Sequence, residues 1–426
     1  MKIDNYTRRN GPPIQLIKNV PLPRFLSYTL DNGLPVYYIR QGSQELVKLD
    51  IVFKGGRHRE KAKSLCKIFA SVIKEGTLHD NAESLSSFFD TYGASYNSRS
   101  SLDYTTFTIM SLSKFFPLLI QKFSEIILEP AFKKSEIQKS IENHCRKLEL
   151  NNSKNEIIAY RQLTEKLFGS EEVYGYNSSE SSYKGITKEL LHDYHRDMLE
   201  EQECYLFLCG QYDDVVEQAI NKAFGQWKYK GNAEISYDKK NLSPDKRYNF
   251  PSAQEHQSAI RIARKFGNRK DKAYAQMSFL NNVLGGYFGS RLMKNIREEK
   301  GYTYNIFTSL DTMLYEGYFY VSTDVSPKYL DATIKEIYKE MEMLRTTKIS
   351  KEELEMNRNY LLGNLLTAVD GPFQSIRIIK SAILNNESEE DLARTIDVFM
   401  NINADELQKT AEKYLDPSEF IEVIIG

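Results

Sequence analysis

The sequence predicts an α+β fold built from two copies of one unit, each an antiparallel sheet packed against helices. Three observations carry that expectation. Residues 93–103 (Gly-Ala-Ser-Tyr-Asn-Ser-Arg-Ser-Ser-Leu-Asp) and 301–311 (Gly-Tyr-Thr-Tyr-Asn-Ile-Phe-Thr-Ser-Leu-Asp) share Gly, Tyr, Asn, Ser, Leu and Asp at six of eleven positions. The segments downstream of the two copies match in kind: a strand, a polar turn with Ser and Lys, a long amphipathic helix and a second helix. The length, 426 residues, exceeds one ordinary core and suits two of about 200 residues each.

Taken in order, residues 25–30 and 34–39 form a strand pair, because Asp31-Asn32-Gly33 between them is a strong hairpin signal. Residues 47–55 make the next strand, helices come after it at 61–75 and 81–92, and a strand is expected at 94–112. Within it, the segment 104–112 leads through Ser113-Lys114 into a helix at 115–128, and a second helix begins near Ser135. The stretch 136–168 reads as helical, and a strand at 204–210 closes the unit. Residues 228–252 are polar, rich in Asn, Asp and Lys and without a period, and are expected to form the linker. The division is placed at 1–235 and 236–426. The second unit then opens with a strand at 257–263. The later strand at 316–323, the turn Ser326-Pro327-Lys328, the helix at 329–344 and a further helix from Ser350 repeat the earlier succession.

Composition excludes several classes. The 57 basic and 58 acidic residues are interspersed, so neither a nucleic-acid stripe nor a charged tail is present. No apolar run reaches the ~18 residues of a membrane span, and the polar start lacks a signal-peptide core. The four cysteines do not form a disulfide framework. Cys204 and Cys209, five apart on one strand, fall on opposite faces, and all four are expected as free thiols of a reducing compartment, the cytoplasm.

The most informative segment is 55–77, where a strand ends at Gly55-Gly56, a polar turn comes next, and an apolar helix runs to Lys74-Glu75-Gly76-Thr77. This resembles the first active-site helix of the insulinase/pitrilysin family, the inverted zinc peptidases. That helix carries His-x-x-Glu-His: two histidines on one face hold zinc and the glutamate activates water. Here the five positions are Lys67, Ile68, Phe69, Ala70 and Ser71, so both histidines and the glutamate are absent. The family's third ligand would fall at or beside Glu149, with Cys145 as the alternative register, and neither restores a site that needs three ligands. Residues 284–304 are similar to the family's Ser-Arg-Leu … Arg-Glu-x-x-Gly-x-x-Tyr segment, with Arg297 and Tyr304 both intact. Gly301 suits the position that stops the intervening helix, so the chain reverses between the two side chains.

Two further motifs read as structural. His192-x-x-His195 has ligand-like spacing on a helix but is expected as a solvated helix face. Gly285-Gly286-Tyr287-Phe288-Gly289 lacks the Gly-Lys-Ser/Thr ending of a phosphate loop and reads as a tight bend between helices.

The resemblance implies a clamshell of two α+β halves around a cavity. It also implies that this chain is the zinc-free, non-catalytic subunit of a heterodimeric endopeptidase. The chain itself would hold no cofactor. A zinc-bearing homologous partner would supply metal and base, while Arg297 and Tyr304 would bind substrate and stabilise the oxyanion in trans. Substrates would be unstructured peptides, bound as an added strand. The alternative is an inactive scaffold homologue of the processing-peptidase type. A metal-independent hydrolase is disfavoured, since no general base beside a nucleophile is evident in the sequence.

Overall fold

A computed structural model describes residues 17, 19–231, 234–240, 242, 245–252, 254 and 256–426. The first sheet contains β1 (Leu26–Thr29), β2 (Pro35–Arg40), β3 (Leu46–Lys54), β4 (Ser95–Ser100), β5 (Tyr104–Leu112) and β6 (Cys204–Gly210), in the order β1-β2-β6-β3-β5-β4. Its chain supplies α1 (Leu65–Val72), α2 (Ala82–Thr91), α3 (Phe116–Leu128), α4 (Lys134–Asn152), α5 (Asn155–Phe168), α6 (Glu180–Lys184), α7 (Lys188–Glu201) and α8 (Asp214–Phe224). The second sheet contains β7 (Arg247–Phe250), β8 (Ser258–Phe266), β9 (Ile306–Thr312), β10 (Gly317–Val325) and β11 (Ile421–Ile425), in the order β7-β11-β8-β10-β9. Its helices are α9 (Tyr274–Asn281), α10 (Leu330–Thr346), α11 (Lys351–Ala368), α12 (Pro372–Leu384), α13 (Glu389–Asn401) and α14 (Ala404–Tyr414).

The two sheets share one topology. Strands β2, β6, β3, β5 and β4 correspond in order to β7, β11, β8, β10 and β9, and β1 is an extra edge on the first. The repeat seen in the sequence sits at the same place in both. Gly93 (φ 61°) and Gly301 (φ 65°) each come after a helical segment in the left-handed conformation and release the chain into an edge strand. An added Cβ would meet nothing at either glycine, so backbone conformation rather than space selects the residue. Each sheet is antiparallel except for one parallel pair, β2 with β6 and β7 with β11. These arise because the last strand of each unit returns after a long helical excursion.

Three expected elements differ in detail. The strand expected at 94–112 is a hairpin, β4 and β5, that turns at Ser101-Leu102-Asp103. The helical stretch 136–168 breaks at Ser153-Lys154 into α4 and α5. The expected linker contains β7, an alternating Arg-Tyr-Asn-Phe that pairs with β11, so the second unit opens earlier than residue 257; residues 232–233, 241, 243–244, 253 and 255 lie outside the described residues. Polar composition concealed β7 because it is an edge strand with one face toward water.

Each sheet buries its outer face under its own unit's helices, through two large apolar clusters. The inner faces are closed reciprocally. From the first half, α5 lays Ala159, Leu163, Leu167 and Phe168 across Ala259, Ala263, Tyr318 and Val423 of the second sheet. From the second half, α12 lays Ile376, Ile379 and Leu384 across Ile39, Val52, Phe207 and Cys209 of the first. Cys204 lies in the helix-side core and Cys209 beneath α12, on opposite faces of β6, and all four cysteines are free. Polar pins accompany the exchange. Lys380 on α12 reaches Asp50 on β3 (2.6 Å), where Lys48 also binds. Burial alone would raise the Asp50 carboxyl, but the two lysines outweigh it and hold it below the usual range. Buried Asp103, in the hairpin turn, accepts from Tyr174 (2.7 Å) and from the Leu314 backbone of the other half (3.1 Å).

Because each half completes the other's core, we expect a single cooperative unfolding transition. Leu163→Ala, at a fully buried position on α5, should cost about 2–5 kcal/mol and lower the melting of both sheets together. Calorimetry of the variant checks this, and two separated transitions would count against the exchange as a stabilising device.

Candidate functional site

The helix α1 that carries the degenerate motif is entered under strain. Its N-cap, Ser64, is a buried non-glycine residue at φ 75°, held by a bond from its backbone N–H to the Tyr176 hydroxyl (3.2 Å) and by Ser182 (2.8 Å). Such strain persists only where surrounding contacts over-determine it. Leu65, Cys66, Ile68, Phe69, Ala70 and Val72 are buried, so the open face of α1 is left to Lys67 and Ser71, four residues apart. Those are the two positions that the resemblance matches to the histidines of the motif. Ala70, at the glutamate position, is 4% exposed.

Facing α1 is α4. Ser140 donates to the Ser71 hydroxyl (3.0 Å), and His144 Nδ1 donates to the Ser140 carbonyl (2.8 Å). Burial lowers the His144 pKa, and the Lys67 charge adds to this against the opposing Ser140 bond. Neither register considered for a third ligand faces the motif. Glu149 is exposed, and Cys145 lines a cleft with Gln138, Glu142 and Glu180. Ser140 and His144 were legible in principle, since they flank the apolar pair Ile137 and Ile141 that turns α4 toward the core. Zinc does not fit here: its ligand positions hold Lys67 and Ser71, and among the described residues no group of three or more His, Cys, Asp and Glu is placed to hold a metal ion. His195 is not solvated as expected. It packs on Phe69 and Phe132 and donates to the Ile127 carbonyl (2.7 Å), and burial pulls its pKa down to about 4.

Lys67 is seated by the loop before α6. Its ammonium donates to Ser178 Oγ (3.0 Å), and burial, then the charge of Arg57, lowers its pKa to about 8. A lysine poised beside a serine is a pairing that the sequence did not reveal. Ser178 is only 5% exposed, however, so its hydroxyl is closed to a substrate carbonyl and serves as an acceptor. Arg161 on α5 donates to the Ser178 carbonyl (2.8 Å), and Arg57 donates to the carbonyls of Tyr176 (3.0 Å) and Val173 (3.3 Å).

The helix α5 carries the site toward the other half. Tyr160, beside Arg161, shares a hydrogen bond with Tyr318 (2.5 Å) and packs on Tyr320, which in turn packs on Phe307 of edge strand β9. Three residues before Phe307 stands Tyr304, 96% exposed and without a hydrogen-bond partner among the described residues. Its neighbours are fixed: Tyr302 stacks on Tyr329 (4.6 Å), and Thr303 donates to the Asp324 carbonyl (2.7 Å). Arg297 lies in a π-helical segment, Met293–Glu299, with its guanidinium 4.8 Å from the centre of the Phe288 ring. The Gly285-Gly286 bend is structural, since a Cβ at Gly285 would strike Thr308 within 3 Å.

Residues 36–175 match the Insulinase (Peptidase family M16) family, and residues 185–361 match the Peptidase M16 inactive domain. The chain belongs to the insulinase M16 family. Its fold is that of a crystallised M16 inactive domain from Pseudomonas fluorescens (TM-score 0.83, 19% identity, covering 94% of this chain and 98% of that one). It is similar to the same degree to a protease from Helicobacter pylori (TM-score 0.84, 16% identity, 95% and 100%). A Bacillus subtilis (strain 168) protein named uncharacterized zinc protease YmxG is 20% identical over 346 residues, covering 80% of this chain and 84% of its own. A Helicobacter pylori (strain ATCC 700392 / 26695) protein named non-peptidase homolog YmxG is 22% identical over 341 residues, covering 78% and 77%. Within the M16 family this chain is an inactive homologue. Among the described residues, no helix is long and apolar enough to cross a membrane.

The lowered pKa of Lys67 makes a stability prediction. The unfolded chain keeps this proton to about pH 10.5, the folded chain only to about 8, so the charged amine costs folding energy at neutral pH. Lys67→Met should therefore stabilise the protein by on the order of 2–3 kcal/mol at pH 7. The advantage is full below pH 8 and shrinks as pH rises toward 10.5, because the wild type sheds the penalty over that window. Melting curves of both proteins at pH 7 and pH 10 check the magnitude and its sign.

Proposed function

We propose that this M16 homologue is the zinc-free subunit of a two-chain endopeptidase, lending Arg297 and Tyr304 to the site of a zinc-bearing homologous partner. The observation that carries this reading is the asymmetry between its two motifs. The helix α1 keeps the open face of a metal-binding helix but carries Lys67 and Ser71 there, whereas the Arg297–Tyr304 segment is intact and presents a fully exposed tyrosine between anchored neighbours. An exposed phenol held on a fixed loop is suited to donate to an oxyanion that forms elsewhere, and Arg297 adds a charged donor for a substrate carbonyl. Zinc and the water-activating base belong to the partner. The substrates are unstructured peptides, taken up at a free sheet edge. The two units divide at 235/236, and the complex works in the cytoplasm.

Reconstitution tests this. The chain is combined with a His-x-x-Glu-His homologue from the same genome, and cleavage of a quenched unstructured peptide is measured for each chain alone and for the pair. Only the pair should cleave. Tyr304→Phe should lower kcat about a hundredfold and Arg297→Ala should weaken both KM and kcat, with pairing unchanged by gel filtration. Wild-type rates from both variants in an intact complex would favour the scaffold role instead.

A further inference from the structure

Among the described residues, the cations around the degenerate motif form no ion pair. Arg57 is held by two backbone carbonyls and the Tyr176 ring (4.2 Å), Arg161 by the Ser178 carbonyl and Asn152 Oδ1 (3.1 Å), and Lys67 by a serine hydroxyl. Among the described residues, no carboxylate lies within ion-pairing distance of any of the three. Two carboxylates act on the cluster from a distance, Glu165 on Arg161 and Glu60 on Lys67, and Glu60 is committed to the Cys66 backbone N–H (2.7 Å) and to the Tyr176 hydroxyl. The three charges also act on one another, since Arg57 and Arg161 both disfavour the charged form of Lys67. Half-buried like charges without counterions are costly, and a fold retains them where a ligand supplies the missing charge. The neighbourhood extends this character outward. The edge strand β4 packs beside α1 and carries Arg99, exposed and likewise without an acidic partner among the described residues, while Tyr160 offers an exposed ring one residue from Arg161.

We propose that the vanished metal site has become a carboxylate-binding site. Lys67, with Arg57 and Arg161, receives a carboxylate of an acidic peptide lying along β4, and Tyr160 packs against the adjoining residue. The ammonium of Lys67 projects from the position of the first zinc ligand, so the peptide is held where a catalytic relative would polarise it. This inference rests on the peptide-holding reading above and names the class of peptide held: one with clustered Asp and Glu, or one ending at this point with a free carboxylate.

Three labelled, unstructured peptides of equal length separate the outcomes in anisotropy titrations with the full chain. The first has Glu side chains and an amidated end, the second has Gln in their place and a free C-terminal carboxylate, and the third is neutral and amidated. One or both carboxylate-bearing peptides should bind about tenfold more tightly than the third, the value of one charge-assisted hydrogen bond. Whichever of the two is preferred identifies side-chain or terminal carboxylate as the source. The preference should vanish in Lys67→Met, which is expected to be more stable than wild type, and persist in Lys67→Arg. Equal binding of all three peptides would overturn the carboxylate site while leaving peptide holding intact. Absence of binding by every peptide would overturn both. A preference that survives Lys67→Met and Arg161→Met would overturn the assignment to this cluster.

Discussion

The structure depends on one packing constraint: each sheet has an inner face that its own unit leaves uncovered, and a helix from the other unit covers it. Without α5 the second sheet would expose Tyr318, Tyr320 and Val423, and without α12 the first would expose Val52 and Phe207. Contiguous apolar faces of this kind are rarely left open to water. The halves are thus two domains whose cores are completed by each other's helices. The same exchange builds the candidate site, because α5 alone carries both Arg161, which fixes the Lys67 loop, and Tyr160, which bonds the second sheet.

The packing at the seam holds the motif helix in place whatever chemistry its open face carries. The motif helix is still entered through strained Ser64, still buried on its core side and still open at the two positions four residues apart. On the proposed correspondence with the zinc motif, those positions carry an ammonium and a hydroxyl in place of metal ligands. A cation in place of a metal ion retains local positive charge but supplies no Lewis acid and no activated water. That charge is what the proposed carboxylate site draws on.

Much of this was legible in the sequence, for physical reasons. The repeat at Gly93 and Gly301 marks a conformation that few other residues adopt, so its structural meaning survived the divergence around it. The five-residue spacing of Cys204 and Cys209 predicted their separation onto two faces, because side-chain alternation in a strand is strict. The helix exchange was not legible. An apolar stripe on residues 155–168 says that the helix is buried, not which sheet buries it. The strand β7 was hidden by edge-strand polarity. The burial of His195 escapes a local reading because its role is set by a carbonyl 68 residues away, Ile127, and the lysine–serine contact at Ser178 spans 111 residues. The spacing of Arg297 and Tyr304 was plain, but the role proposed for them rests on a second chain.

The central claim is that metal and transition-state donor lie on different chains. Its most direct test is zinc-edge anomalous diffraction from crystals of the reconstituted pair with a bound peptide. The account predicts a single zinc peak, on the partner's His-x-x-Glu-His helix, with the Tyr304 hydroxyl of this chain within hydrogen-bonding reach of the scissile carbonyl oxygen. A zinc peak between Lys67 and Ser71, or Tyr304 turned away from the partner's metal in the peptide-bound complex, would contradict it.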